Sequence, residues 1–139
     1  GGEIQALAAT LDIDEQVRFH GYLAPPELAS LLDGAVLHVL SSRHDAGPVA
    51  VLEAAACGVP TIGTAVGHVA DFAAMSAPAA AAIDGHQPVM LARGITALLS
   101  DEPRRIELAE RARDWAVAHD SRHTSRSFES LYRRLIANR

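Results

Sequence analysis

The segment from Ala35 to Ile62 constrains the fold more than any other part of this chain. The apolar run Ala35–Leu40 predicts a buried strand, and Gly47-Pro48 is typical of a helix start. Gly58 then ends the helix, and Pro60–Ile62 resumes an extended path. Strand, helix and strand in this order predict one parallel βαβ crossover, and therefore an α/β fold.

The loop before the predicted helix has the features of an anion-binding corner. With Pro48 at the first helical position, the amides of Val49, Ala50 and Val51 are expected to be unpaired, and the helix dipole favours negative charge beside them. Gly47 is small enough to let a ligand come close. The sequence therefore predicts a phosphate at this helix start.

Two carboxylates frame the same turn. Asp45 precedes the helix and Glu53 lies inside it, and neither suits a bare phosphate, whereas both suit hydroxyl groups. Together with the helix start they predict binding of a sugar or ribose joined to a diphosphate. Asp45 could instead only cap the helix, and Glu53 could instead face solvent. Use of the pair as general acid and base is a weaker alternative, because a nucleotide donor already carries a good leaving group.

The order of residues from Ser42 to Gly67 resembles the donor-site signature of retaining glycosyltransferases with the GT-B fold, the group 1 transferases of family four. It contains Ser-x-x-Asp, then Glu-Ala-x-Ala-Cys-Gly-Val-Pro-x-Ile-x-Thr-x-x-Gly. The family shows two glutamates separated by seven residues, and here the pair is Asp45 and Glu53. Where the family often has Gly-Phe-Gly, this chain has Ala46-Gly47-Pro48, which removes one backbone donor.

The resemblance implies a Rossmann-like parallel sheet with helices on both faces, ending in two or three helices. Residues 1–139 would form part of the C-terminal, donor-binding domain, without the N-terminal acceptor-binding domain and the first βαβ unit with its basic pair. Asp45 would be the catalytic residue. The donor would be bound by Gly21, Tyr22, Ser42, Gly47, Val49, Ala50, Val51 and Glu53.

The implied reaction is transfer of a hexosyl group from a nucleoside-diphosphate sugar to an acceptor, with retention and without a metal ion or other cofactor. The acceptor would be bound through the absent N-terminal domain, so the chain alone is expected to be inactive. His20, His38, His44 and His68 have no metal-ligand spacing, and His38 is expected to be a hydrogen-bonded core residue. A non-catalytic nucleotide-binding module of flavodoxin-like topology remains an alternative.

Composition limits the partners. The formal charge is −5, and paired arginines occur only at Arg104-Arg105 and Arg133-Arg134, which argues against nucleic acid. No apolar run approaches the roughly 20 residues of a membrane span, so no transmembrane segment is predicted. We expect a cytoplasmic protein, with the full-length parent peripheral at the membrane as an alternative. The single Cys57 is expected to be a buried thiol.

The rest of the chain predicts further strands and helices. A strand is predicted from Val17 to His20, ending at Gly21-Tyr22 where a base could bind, and another at Ala79–Ile83, with an irregular stretch between residues 68 and 77. Helices are predicted over Ile4–Leu11, from Pro25-Pro26 to Leu32, over Pro88–Leu99, from Glu102-Pro103 to about His119, and at the end of the chain.

The last predicted helix carries five apolar side chains at helical spacing, which form one apolar stripe: Phe128, Leu131, Tyr132, Leu135 and Ile136. We expect this stripe to pack on the domain's own sheet. In the alternative the stripe is exposed, because the family's terminal helix reaches toward the acceptor domain. An exposed stripe, or an exposed sheet edge, would favour a homodimer without activity of its own.

Overall fold

The computed structural model describes residues 2–137 and contains a parallel sheet of three strands in the order β1-β2-β3. The strands are β1 (His38–Leu40), β2 (Thr61–Thr64) and β3 (Ala81–Ile83). The helices are α1 (Gly2–Thr10), α2 (Pro25–Asp33), α3 (Val49–Ala56), α4 (Gly67–Ala73), α5 (Pro88–Leu99), α6 (Glu102–Ala118) and α7 (Ser121–Ala137). Strands thus alternate with helices until β3, and three helices complete the described part of the chain.

The predicted βαβ crossover is confirmed. In the register of the sheet, His38 lies opposite Thr61 and Leu40 lies opposite Gly63, while Ile62 pairs with Ala81 on the other side. Helix α3 connects β1 to β2 and α4 connects β2 to β3. Each connection is a crossover because the strands it joins are parallel.

Helices cover both faces of the sheet, as predicted. On one face Leu40 packs against a cluster that includes Val51 of α3 and Phe72 of α4. On the other face Ile62 packs with Leu98 of α5. Because side chains alternate along a strand, this two-sided burial explains why apolar side chains point to both faces of the sheet. The chain therefore has the expected α/β, Rossmann-like architecture.

The prediction of a strand from Val17 to His20 is wrong. These residues have no regular secondary structure, and Phe19 is 45% exposed. The backbone at Val17 is extended, but the sheet within the described residues consists of β1, β2 and β3 alone. An extended segment becomes a strand only when a neighbour completes its hydrogen-bond ladder, and here no strand pairs with it.

The stretch from 68 to 77, expected to be irregular, contains helix α4. Val69 and Phe72, three residues apart, are both buried on one side of this helix. The helix is only seven residues long and Val66 at its N-cap makes no side-chain capping bond. Its stability therefore comes from burying Val69 and Phe72 against α3 and the sheet, which local sequence does not reveal.

Two predictions of burial are also wrong. No residue of α7 is buried within the described part of the chain. The five apolar residues of the predicted stripe lie on this helix, and this α7 stripe is between 40% and 73% exposed at each residue. The stripe therefore does not pack on the domain's own sheet. Cys57 is exposed too, because it lies at the C-cap of α3, after the buried residues of that helix.

Candidate functional site

The candidate site lies at the carboxyl edge of the sheet. The loop Ser41–Pro48, here called the donor loop, leaves β1 at this edge. The chain leaving β2 enters α4 there, and the segment 84–87 leaves β3 there and enters α5. Parallel strands bring all three connections to one edge, which is where open α/β folds bind ligands.

Asp45 shapes the donor loop. Its Oδ1 accepts a hydrogen bond of 3.1 Å from the Gly47 N–H, and the side chain is exposed. The bond closes a local turn two residues ahead of α3, which differs from the helix cap considered above. One carboxylate oxygen thus holds the loop, and the exposed carboxylate remains accessible for a ligand. The catalytic role of Asp45 stays a prediction.

The start of α3 differs in detail from the expectation. Pro48 is the N-cap residue and Val49 is the first helical residue. The Val51 N–H donates a 3.1 Å bond to the Pro48 carbonyl, and the Val51 side chain is fully buried. The expectation of a free Val51 amide is therefore wrong. Val49 and Ala50 remain exposed at the helix start, where a ligand can reach their amides.

Glu53 lies in the second turn of α3 and is half-buried between Leu52 and Ala54. Its carboxylate makes no hydrogen bond or ion pair with the residues that the structure describes. A half-buried carboxylate beside apolar residues favours partners that can donate hydrogen bonds. This setting is consistent with the predicted binding of hydroxyl groups, which stays a prediction.

A hydrogen bond connects the donor loop to the end of β2. The Thr64 hydroxyl, which is almost fully buried, donates to the carbonyl of Ser42. The bond fixes the backbone of Ser42 beside the sheet. Ser42 was predicted as a donor ligand, whereas its positioning by Thr64 was not, because a hydroxyl 22 residues away gives no local signal.

The donor loop also packs against the start of α4. Gly67 has φ +46°, and a Cβ atom there would lie 2.7 Å from Pro48 Cδ and 2.8 Å from the Asp45 carbonyl oxygen. The nearest atom to a Cβ on Gly47 would be His68 Nε2, at 3.3 Å. The space beside Gly67 is therefore filled by the loop itself.

Gly21 and Tyr22 are not held at the sheet edge by a strand. Gly21 has φ +65° and Tyr22 is 92% exposed, and both lie in the irregular segment before α2. The predicted base contact rested on a strand ending here, and that strand is absent from the described residues. Base binding by this pair stays a prediction without its expected support.

A cleft of about 240 Å³ opens beside the donor loop, and we call it the strand-end cleft. It is lined by Ser41, Arg43, Thr64, Gly85, His86, Gln87, Pro88 and Leu91. Sequence reasoning assigned no role to the residues from 85 to 91. They follow β3 by a few residues, and only the parallel sheet brings them beside the loop that follows β1.

Residues 2–115 match the sequence model of the family described as glycosyl transferases group 1. The chain belongs to this family. Among its curated relatives in the group 1 transferases is the D-inositol 3-phosphate glycosyltransferase of Corynebacterium urealyticum, which is 31% identical over 132 residues. That match covers 95% of this chain and 31% of the relative, so the chain spans about a third of the relative's length.

Solved structures of glycosyltransferases share the fold of this group 1 chain. Sucrose-phosphate synthase from Thermosynechococcus elongatus superposes with a TM-score of 0.83 at 25% identity, covering 98% of this chain and 34% of that one. Anabaena Alr3699/HepE, solved in complex with UDP and glucose, gives 0.76 at 18% identity, covering 93% and 36%. These neighbours have the GT-B fold, which confirms the predicted fold class.

No helix within residues 2–137 has both the length and the apolar composition needed to cross a bilayer.

Proposed function

We propose that this chain is the donor-binding part of a glycosyltransferase that transfers a hexosyl group from a nucleoside-diphosphate sugar to an acceptor. The proposed transfer retains the anomeric configuration and needs no metal ion or other cofactor. The acceptor is bound by a further domain of the whole protein, whose place is in the cytoplasm or at the membrane surface. Family membership supports a transferase, and it favours this function over a non-catalytic nucleotide-binding module.

The observation that carries the proposal is the arrangement of Asp45 and Glu53 around the start of α3. One carboxylate lies before the helix and the other in its second turn, with the exposed residues Val49 and Ala50 between them. Backbone N–H groups at a helix start attract phosphate, while carboxylates accept hydrogen bonds from hydroxyls. A nucleoside-diphosphate sugar presents both chemistries in one molecule.

In this proposal each group has a separate task. The amides of Val49 and Ala50 stabilise the negative charge that develops on the departing diphosphate. Glu53 accepts hydrogen bonds from the ribose hydroxyls, and Asp45 contacts the transferred sugar close to the bond that breaks. Ser42 and Gly47 form the loop backbone along the ligand. Catalysis depends mainly on positioning and charge stabilisation, because the diphosphate is already a good leaving group.

Calorimetric titration of the chain with UDP, GDP and ADP tests the proposal, with Glu53→Ala as the variant. We expect one nucleotide to bind and Glu53→Ala to weaken that binding about tenfold or more, since a charged hydrogen bond contributes about 1.5–3 kcal/mol. Glu110→Ala is the matched control, because Glu110 is an exposed carboxylate on α6 far along the chain from the donor loop. Equal affinities for wild type and Glu53→Ala would contradict the assigned role.

A further inference from the structure

The strand-end cleft carries a permanent positive charge and no carboxylate among its lining residues. Arg43 supplies the charge, and it forms no ion pair with the carboxylates of the described residues. Ser41 and Gln87 add neutral polar groups, while Pro88 and Leu91 form the apolar part of the wall. A guanidinium with neutral hydrogen-bonding neighbours is suited to an oxyanion, whereas the carboxylates of Asp45 and Glu53 suit hydroxyls.

Two acidic residues lie close to the lining residues in sequence, Asp45 and Asp84. Neither is among the residues that line the cleft, and neither forms an ion pair with Arg43. The imidazole rings of His44 and His86 lie 6.5 Å apart, so His44 is close to a residue that lines the cleft. Each ring can donate a hydrogen bond to an anion.

The size and backbone of the cleft also suit a small group. The cleft volume of about 240 Å³ is below the usual range for sites that bind drug-sized ligands. It suits one phosphoryl group together with its attached carbon or a second phosphate. Gly85 has φ +76°, and the position of its absent Cβ is open, with no atom within 4 Å. A ligand can therefore approach the backbone at Gly85 without meeting a side chain.

We propose that the strand-end cleft binds a phosphoryl group of a substrate through Arg43. This inference deepens the proposed function, because the cleft adjoins the donor loop. The phosphoryl group has two sources in such a reaction: the diphosphate of the nucleotide donor, or a phosphate carried by the acceptor. Both present the same oxyanion to Arg43.

Amide NMR spectra of the 139-residue chain during titration with pyrophosphate test the proposal. We expect saturable shifts at Gly85, His86 and Gln87, with affinity reduced about tenfold or more in Arg43→Gln and largely kept in Arg43→Lys. Arg93→Gln is the matched control: it removes the same charge from an exposed position on α5 outside the cleft. Absence of saturable shifts, or equal weakening in both glutamine variants, would overturn the proposal.

Two further titrations identify the source of the phosphoryl group. If UDP shifts the same three amides and competes with pyrophosphate, the site takes the donor diphosphate. If glycerol 3-phosphate, a simple polyol phosphate, shifts them while UDP is bound, the site takes an acceptor phosphate. Glu53→Ala separates this inference from the proposed function, because it should weaken UDP binding and leave pyrophosphate binding at the cleft unchanged.

Discussion

His38 shows how one polar side chain is accommodated inside the sheet. It lies half-buried in β1, and its Nδ1 is 3.1 Å from the hydroxyl oxygen of Thr61, which is almost fully buried. The two residues face each other across the β1–β2 register. The pair satisfies both polar groups, and burial lowers the pKa of His38 because it disfavours the charged imidazolium. The predicted hydrogen-bonded histidine is confirmed.

This pKa shift predicts an acid-sensitive stability. The unfolded chain takes up a proton on His38 near its ordinary pKa of about 6.5, whereas the folded protein does so only at lower pH. The unfolded state therefore binds more protons between the two values, and the free energy of unfolding falls as the pH falls below about 6.5. Urea unfolding at several pH values should show a smaller decrease for His38→Asn than for the wild type.

His86→Asn is the control for this measurement, because His86 is exposed. It should keep the wild-type pH dependence. An identical pH dependence in His38→Asn and the wild type would show that His38 does not contribute to it.

Among individual residues, the sequence predicted position along the elements better than contacts. The spacing of Asp45 and Glu53 correctly placed one before α3 and the other within it. The pairing of the Val51 amide with Pro48 and the bond from Thr64 to Ser42 were missed. Both depend on backbone geometry or on residues distant in sequence, which no local pattern contains.

At the scale of elements, the donor loop and α4 depend on each other through Gly67. The glycine adopts φ +46°, a conformation that favours glycine, and the donor loop occupies the space where a side chain would be. The donor loop thus packs against α4, a helix that the sequence did not predict.

Gly67→Ala should therefore destabilise the fold by about 1–3 kcal/mol, because the new methyl group meets backbone as well as Pro48. Gly34→Ala is the matched control, since its Cβ would lie no nearer than 3.9 Å to another residue. Thermal unfolding compares the two variants. A transition temperature of Gly67→Ala equal to that of Gly34→Ala would contradict the proposed packing.

The order of elements was largely predictable, and the exceptions have one cause. Helices α2, α5 and α6 carry proline near their starts, and the βαβ crossover carries both proline and glycine signals. The segment 17–20 reads as a strand, but it has no neighbour to pair with among the described residues. Helix α4 lacks a capping side chain and is defined by burial. Both errors concern tertiary partners rather than propensity.

At the scale of the molecule, the α7 stripe is an apolar surface that the described residues leave uncovered. Five apolar side chains follow one side of α7, and none is buried. The D-inositol 3-phosphate glycosyltransferase of Corynebacterium urealyticum is about three times as long as this chain. Exposed apolar surface of this kind favours association.

We therefore expect the isolated chain to self-associate as its concentration rises. Light scattering coupled to size-exclusion chromatography should give a mass above the 14.7 kDa of one chain. Leu131→Gln combined with Leu135→Gln should restore the single-chain mass, because both residues lie in the α7 stripe. Ser130→Gln, placed away from the stripe, should not. A single-chain mass for the wild type at every concentration would refute this expectation.

The strand order has a consequence for how the chain acquires its structure. Each ladder joins strands that follow one another in sequence, β1 with β2 and β2 with β3. Only one helix and its loops separate each pair of neighbouring strands, so the loop-closure entropy lost on pairing is smaller than for strands farther apart in the chain. During synthesis, a nascent chain that has emerged through β3 already holds every strand of this sheet. The sheet edge that carries the donor loop can therefore assemble before α7 leaves the ribosome.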